Sequence, residues 1–191
     1  MGHTASVDAI DALLPQTQCT RCGYNGCLPY AQALASDEAA INRCPPGGSD
    51  TIQRLAELLD TPVLPLDASC GVESTPQVVW IDPQRCIGCA RCLPPCPVDA
   101  IVGAQRQLHV VLEDRCTGCE LCIAPCPVDC IVLRPRIAEH GHAPEPADNR
   151  HRYHTHTARR ERRETERLAL LAERLALLAE RKRALSTPAA P

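Results

Sequence analysis

Apolar positions recur at helical spacing through the first sixty residues. Val7, Ile10, Leu13 and Leu14 share one face of a helix predicted over 6–14, with Ser6 as its N-cap and Pro15 as its stop. A second helical stretch runs from about 28 to 36. Pro45-Pro46-Gly47-Gly48 then breaks the chain, and Ser49 is expected to cap a third helix in which Ile52, Leu55, Leu58 and Leu59 repeat at three and four. Over 60–76 the periodicity fades and Pro62, Pro65 and Pro76 mark an extended linker.

The pattern changes at 77. β-rich runs at 78–81 and 108–112 are each followed, about twenty residues on, by a short apolar run at 100–102 and 130–133. Between them lies an internal repeat: R-C-I-G-C-A-R-C-L-P-P-C-P-V-D-A-I-V at 85–102 returns thirty positions later as R-C-T-G-C-E-L-C-I-A-P-C-P-V-D-C-I-V, identical at twelve of 18 positions. Two similar strand–loop–helix–strand units packed about a pseudo-two-fold axis are expected. After Pro135 the sequence is rich in Ala, His, Pro and Arg to about 157. A helix is then predicted over 159–185, where the heptad R-L-A-L-L-A-E occurs twice and Leu168, Leu171, Leu175, Leu178 and Leu185 form a seam interrupted by Lys182.

The fold class is therefore α+β: a small helical domain over 1–60, a linker over 61–76, a two-cluster ferredoxin-like domain of βαβ repeats over 77–135, a flexible stretch over 136–158 and an amphipathic helix over 159–186.

Composition sharpens this picture. The chain has 191 residues, 14 Cys and 18 Pro, but only one Trp, three Tyr and no Phe. Aromatic rings normally supply much of core burial, so something else must hold the body together, and the cysteines are the candidates. No apolar run is long enough for a membrane-spanning helix. The first residues lack the basic and apolar regions of a secretory signal, so the thiols are expected in a reducing compartment, where metal ligation is favoured over disulfides. Residues 1–130 hold 15 Asp/Glu against 7 Lys/Arg, whereas 131–191 hold 8 against 13. The acidic body is a poor partner for nucleic acid.

Each repeat contains C-x2-C-x2-C-x3-C-P. Three thiolates so spaced grip three corners of an iron–sulfur cube, and in two-cluster ferredoxins the fourth ligand comes from the other copy. One [4Fe–4S] cluster is assigned to Cys86, Cys89, Cys92 and Cys126, and another to Cys96, Cys116, Cys119 and Cys122. Gly88 and Gly118 fit places where backbone approaches the sulfides without a Cβ, and Pro97 and Pro127 turn the chain away after the crossed ligand. Zinc is the competing metal, but its sites present separated C-x2-C pairs rather than consecutive triples. The N-terminal set, Cys19, Cys22, Cys27 and Cys44, could hold a further [4Fe–4S] cluster or zinc.

Two cysteines remain. Cys130 replaces the first copy's Ala100 and is expected to be a small buried residue beside a cluster, and Cys70 is expected to be a free thiol in the linker. Histidines 140, 142, 151, 154 and 156 are assigned to a solvated, composition-biased tail, and Trp80 to strand packing. No phosphate loop, dinucleotide fingerprint or nucleophile–base pair is present, so no catalytic residues and no substrate-turnover site are assigned.

With L-L-P-Q-T-Q-C-T-R-C-G-Y-N-G-C-L-P-Y-A at 13–31, N-R-C-P-P-G-G at 42–48 and the doublet together, the chain resembles the B subunit of Rnf-type (also called Rsx) electron transport complexes over roughly 6–135. The resemblance implies a third [4Fe–4S] cluster on Cys19, Cys22, Cys27 and Cys44. It implies single-electron relay between ferredoxin and nicotinamide pools, with the other subunits of an ion-translocating complex as partners. Family members often begin with a hydrophobic anchor, whereas this chain starts almost directly at the first helix. Peripheral attachment to the cytoplasmic face of the inner membrane through partner subunits is therefore expected. The alternatives are a soluble polyferredoxin serving another reductase and a non-redox zinc scaffold.

Overall fold

In the computed structural model, which describes residues 5–73, 75–137 and 142–186, three helices enclose the N-terminal core. α1 (Val7–Leu13) starts at Ser6, whose Oγ accepts from the Ala9 N–H at 3.2 Å. α2 spans Cys27–Ala35 and α3 Gly48–Leu59. Ile10, Leu14, Tyr30, Leu34, Ile52 and Leu55 are fully buried between them. Ser49 is not the cap of α3. The helix begins one residue earlier, and the Ser49 N–H donates to Glu73 Oε2 at 3.1 Å, so a carboxylate from 24 residues downstream stands at the positive end of the helix dipole. The cause is room: a Cβ at Gly48 would lie 2.3 Å from the Glu73 carboxyl.

The stretch after α3 has no regular structure, yet it is pinned to this core. Asn42 donates from Nδ2 to the Pro65 carbonyl at 2.6 Å and accepts the Asp67 N–H on its own carbonyl at 2.9 Å, and Leu66 packs against the helices. A 3₁₀ turn at Ala68–Cys70 follows.

The two cysteine repeats fold alike. Left-handed backbone recurs thirty residues apart, at Gly88 and Gly118, Ala90 and Glu120, Asp99 and Asp129. The Asp82 N–H donates to the Cys130 carbonyl at 2.8 Å, and its counterpart Leu112 to that of Ala100 at 2.7 Å. Strand β1 (Gln77–Ile81) runs antiparallel to β4 (Ile131–Pro135), with Gln77 opposite Pro135 and Ile81 opposite Ile131. Strand β2 (Ile101–Val102) pairs with β3 (Val110–Val111), Ile101 opposite Val111. Each ladder joins a strand of one copy to a strand of the other, so neither copy closes alone. The helix expected between loop and strand is missing. Among the described residues, 82–100 and 112–130 contain only turns and bends. Pro94, Pro95 and Pro97, or Pro125 and Pro127, remove donors, and the left-handed residues end any i→i−4 ladder. Trp80 stands at the strand surface with the Arg134 guanidinium 3.8 Å from its ring centroid.

The last helix, α4, spans Pro146–Ser186 and so starts well before the predicted 159. Pro146 suits the first helical position, the Asn149 N–H closes the first turn on the Glu145 carbonyl at 3.0 Å, and no Gly or further Pro interrupts the run that follows. The chain divides into two compact units at Tyr153. In the second unit the leucines at 168, 170, 171, 175, 177 and 178 are 45–67 % exposed, and Arg167 pairs with Glu164 at 2.7 Å. The side chain of Leu185, the last member of the predicted seam, lies outside the described residues, as does His140. No helix of the described residues is long and apolar enough to cross a membrane.

Candidate metal centres

Three cavities within the first unit are each lined by four motif cysteines, and one of them also by Cys130. Cys19, Cys22, Cys27 and Cys44 surround one between α2 and the Pro45-Pro46 turn. Cys86, Cys89, Cys92 and Cys126 surround the second, and Cys96, Cys116, Cys119 and Cys122 the third. The enclosed free volume is about 10 Å³ in each, so the three cavities are alike. In the repeat, the fourth cysteine of each copy faces the triple of the other.

Local backbone accounts for this grouping. The Cys86 and Cys116 N–H groups close turns onto the Asp82 and Leu112 carbonyls at 3.0 and 3.1 Å. Ala100 donates its N–H to Cys96 Sγ at 3.2 Å. A Cβ at Gly88 would lie 2.7 Å from the Gln107 nitrogen, and one at Gly118 2.7 Å from the Gln77 carbonyl oxygen. The backbone of the facing segment therefore excludes a side chain at each glycine.

Burial dominates the protonation of these thiols. Burial pushes the Cys92 thiol up to about 11 and those of Cys27 and Cys119 to about 12, and raises Cys22, Cys44, Cys96 and Cys122 as well. Cys126 is the exception: burial raises it, but the Val128, Cys130 and Asp129 N–H groups and the Cys130 thiol together outweigh burial and lower it. Bare, most of these groups stay protonated at neutral pH, and the thiolate forms when a metal displaces the proton. Among the described residues no three His, Cys, Asp or Glu converge closely enough to hold a single ion. Thiols set around a cavity fit the separate corners of a polynuclear cluster, whereas a structural zinc gathers four at about 2.3 Å from one centre.

A polar framework missing from the sequence reading supports the N-terminal cavity. Gln16 and Gln18 are 1 % and 4 % exposed and both adopt left-handed backbone. Gln16 Nε2 donates to the Asp11 carbonyl and to Asp11 Oδ1 at 2.7 and 2.9 Å, Gln18 Nε2 donates to Gln16 Oε1 at 2.8 Å, and Gln18 Oε1 accepts the Cys27 N–H at 2.9 Å. Arg150, in the first turns of α4, lies 2.9 Å from Asp11 Oδ2. The Q-T-Q-C motif is thereby a buried relay of hydrogen bonds that caps α2 and holds Cys27 in place. Its signal in the sequence was the pair of glutamines, amphipathic residues in an otherwise apolar surrounding.

The N-terminal and Cys116 loops also touch. Arg21 pairs with Glu120, and Thr117 Oγ1 donates to the Thr17 carbonyl at 3.3 Å. Arg136 donates to the Cys116 and Glu113 carbonyls at 2.6 and 2.9 Å. His109, 2 % exposed, was unassigned in the sequence reading and lines the Cys86 cavity. Cys130 is buried with its sulfur 3.5 Å from that of Cys126. Cys70 is buried too, 3.8 Å from Asp67 Oδ2, at the end of the 3₁₀ turn.

The comparisons with known proteins fall on the same two regions. Residues 79–133 match a family described as "4Fe-4S dicluster domain" and residues 14–46 one described as "Putative Fe-S cluster". The chain is 60% identical over 107 residues to the B subunit of the ion-translocating oxidoreductase complex of Alkalilimnicola ehrlichii, and equally so to that of Azoarcus sp.; each match covers 56% of this chain and 58% of the relative. The corresponding B subunit of Hahella chejuensis is 57% identical over 106 residues, 56% of this chain and 53% of that protein. The chain thus matches a little over half the length of these curated relatives.

Proposed function

We propose that the chain, similar over its cysteine-bearing body to the B subunits of ion-translocating oxidoreductase complexes, is an electron-relay subunit of that kind carrying three [4Fe–4S] clusters. Cys19, Cys22, Cys27 and Cys44 hold the first, Cys86, Cys89, Cys92 and Cys126 the second, and Cys96, Cys116, Cys119 and Cys122 the third. When bound, such clusters supply one-electron oxidation and reduction over a wide range of potentials. The chain's own residues fix their spacing, exclude water and donate hydrogen bonds to sulfur. The partners are the other subunits of such a complex and a ferredoxin-like redox protein, met at the cytoplasmic face of the inner membrane.

The observation that carries this reading is the sorting of the twelve motif cysteines, four to each of three cavities. A path follows from the contacts. The N-terminal loop meets the Cys116 loop through Arg21–Glu120 and Thr17–Thr117, and the two repeat cavities share one apolar core. The Cys116 site therefore stands in the middle of the series.

Anaerobic purification with iron, sulfide and zinc counting tests the assignment. About twelve iron and twelve labile sulfide per chain are expected from three four-iron clusters, with paramagnetic signals on reduction. Zinc in place of iron would overturn it.

A further inference from the structure

The two repeat cavities are near copies, and the places where they differ are few. Advancing each residue by thirty carries the Cys96 cavity onto the Cys126 side: Val98 becomes Val128 and Ile101 becomes Ile131. At two lining positions an apolar group is exchanged for a donor. Ala100 becomes Cys130, and Val79 becomes His109.

His109 is built into its place. Its Nδ1 lies 3.8 Å from Cys86 Sγ, and its Nε2 is buried without a hydrogen-bond partner among the described residues. A proton on Nε2 would be a buried, unsatisfied N–H. On Nδ1 the same proton points at the ligand sulfur, so the second arrangement is favoured. Continuing the β2–β3 register by one residue sets Gly103 opposite His109. A Cβ at Gly103 would lie 2.5 Å from the imidazole Cδ2, so the glycine makes room for the ring. In the twin ladder the same rung is Val79 opposite Leu133, an ordinary apolar pair with no donor. Cys130 completes the asymmetry: with Cys126 as a ligand thiolate, the thiol proton between the two sulfurs at 3.5 Å belongs to Cys130.

The twin cavity has its own polar residues, Thr117 and Glu120. The Thr117 hydroxyl reaches both the Thr17 carbonyl and the Cys119 sulfur, and the Glu120 carboxylate is matched by Arg21, so the twin cavity has one side-chain donor against two at the Cys86 site and no added net charge.

We propose that His109 and Cys130 are potential-setting residues that make the site of Cys86, Cys89, Cys92 and Cys126 the higher-potential member of the tandem pair. The physical reason is that reduction adds negative charge to the cluster and its thiolates, and donors to those sulfurs stabilise the reduced form. This rests on the reading of both cavities as [4Fe–4S] sites. It makes the Cys86 site the place where an electron passing through the repeat domain comes to rest.

The test is a redox titration of anaerobically purified full-length protein, followed by paramagnetic resonance, with H109V and C130A, each copying the residue of the twin cavity, and H109Q as a variant that keeps an N–H donor. In H109V and in C130A one midpoint falls toward its neighbour and the others stay; in H109Q the fall is smaller. Midpoints unchanged in both donor-less variants, or all moving together, overturn the proposal. Should H109V lose iron, C130A decides alone, since Ala already occupies that position in the twin. Iron counts on the same samples separate the two levels: wild-type protein without iron sinks the cluster reading, whereas full iron with unmoved midpoints sinks only the roles of His109 and Cys130.

Discussion

At single residues, the N-terminal site depends on a few side chains that contact no metal. Replacing Gln18 with alanine leaves the Cys27 N–H and the Gln16 Oε1 unpaired in a buried setting, a cost of about 1–3 kcal/mol for each group left unsatisfied. Urea unfolding of Q18A is expected to show that loss, with iron released preferentially from one of three sites. G88A forces a left-handed residue to carry a Cβ into the Arg106–Gln107 backbone; it is expected to lose more than the roughly 1–2 kcal/mol of the conformation alone, read from the same denaturation curves. The thiols give a third prediction. Cys27, Cys92, Cys119 and Cys130 have folded values of about 11 to 12 against an ordinary 9.0. Their burial costs nothing while both states are protonated below pH 9. Above that the unfolded chain loses protons that the folded chain keeps, so stability falls as pH rises through 9 toward 12. Metal-free protein should therefore melt at progressively lower temperature across that window, and cluster-loaded protein, in which only Cys130 of these four still carries its proton, should show a much shallower slope.

At the scale of elements, the sequence disclosed what repeats and hid what is contributed from afar. The doublet was legible because cysteine spacing is a local property, and α1 and α3 because their apolar residues recur at three and four. The helix expected within each repeat does not form, because the prolines and left-handed Asp99 and Asp129 hold C-P-V-D as a turn. Ser49 looked like a cap because the true cap, Glu73, sits 24 residues away. His109 was concealed because its meaning lies in the comparison with Val79, a cross-strand difference and not a motif. The start of α4 was missed since an Arg- and His-rich stretch has no apolar face to announce it, and Asn149 and Arg150 act on residues more than 130 positions earlier. Those contacts decide a truncation experiment. Removing 154–191 should leave iron content unchanged, because the first compact unit ends at Tyr153, although it takes away His156, which is 4 % exposed and not solvated as its sequence context suggests. Removing 137–191 also takes away Arg150, the partner of Asp11, and should weaken the N-terminal site while the repeat domain keeps its iron. Equal iron loss in both truncations would contradict the division.

Across the whole molecule, charge decides which partner an electron relay of the proposed kind would meet. The first 130 residues have 15 acidic groups against 7 basic ones, and each oxidised four-iron cluster with its four thiolates adds about −2 more. Such a body meets a basic docking face most readily, and the attraction acts over a distance that salt controls: the screening length is about 30 Å at 0.01 M ionic strength and about 10 Å at 0.1 M. Electron transfer to a genuine partner should thus slow as salt rises across this range, with the second-order rate falling while the rate within a preformed complex holds steady. The residues 131–191, 13 basic against 8 acidic, act in the opposite sense. Protein lacking 154–191 loses a net positive charge without losing either cysteine-bearing region, so its rate with a basic partner should gain in salt sensitivity, and with an acidic one it should fall. Stopped-flow mixing of the full-length and shortened proteins with one reductant of each sign separates the two contributions, since docking by the acidic body requires the shortened form to respond more steeply to salt with the basic reductant.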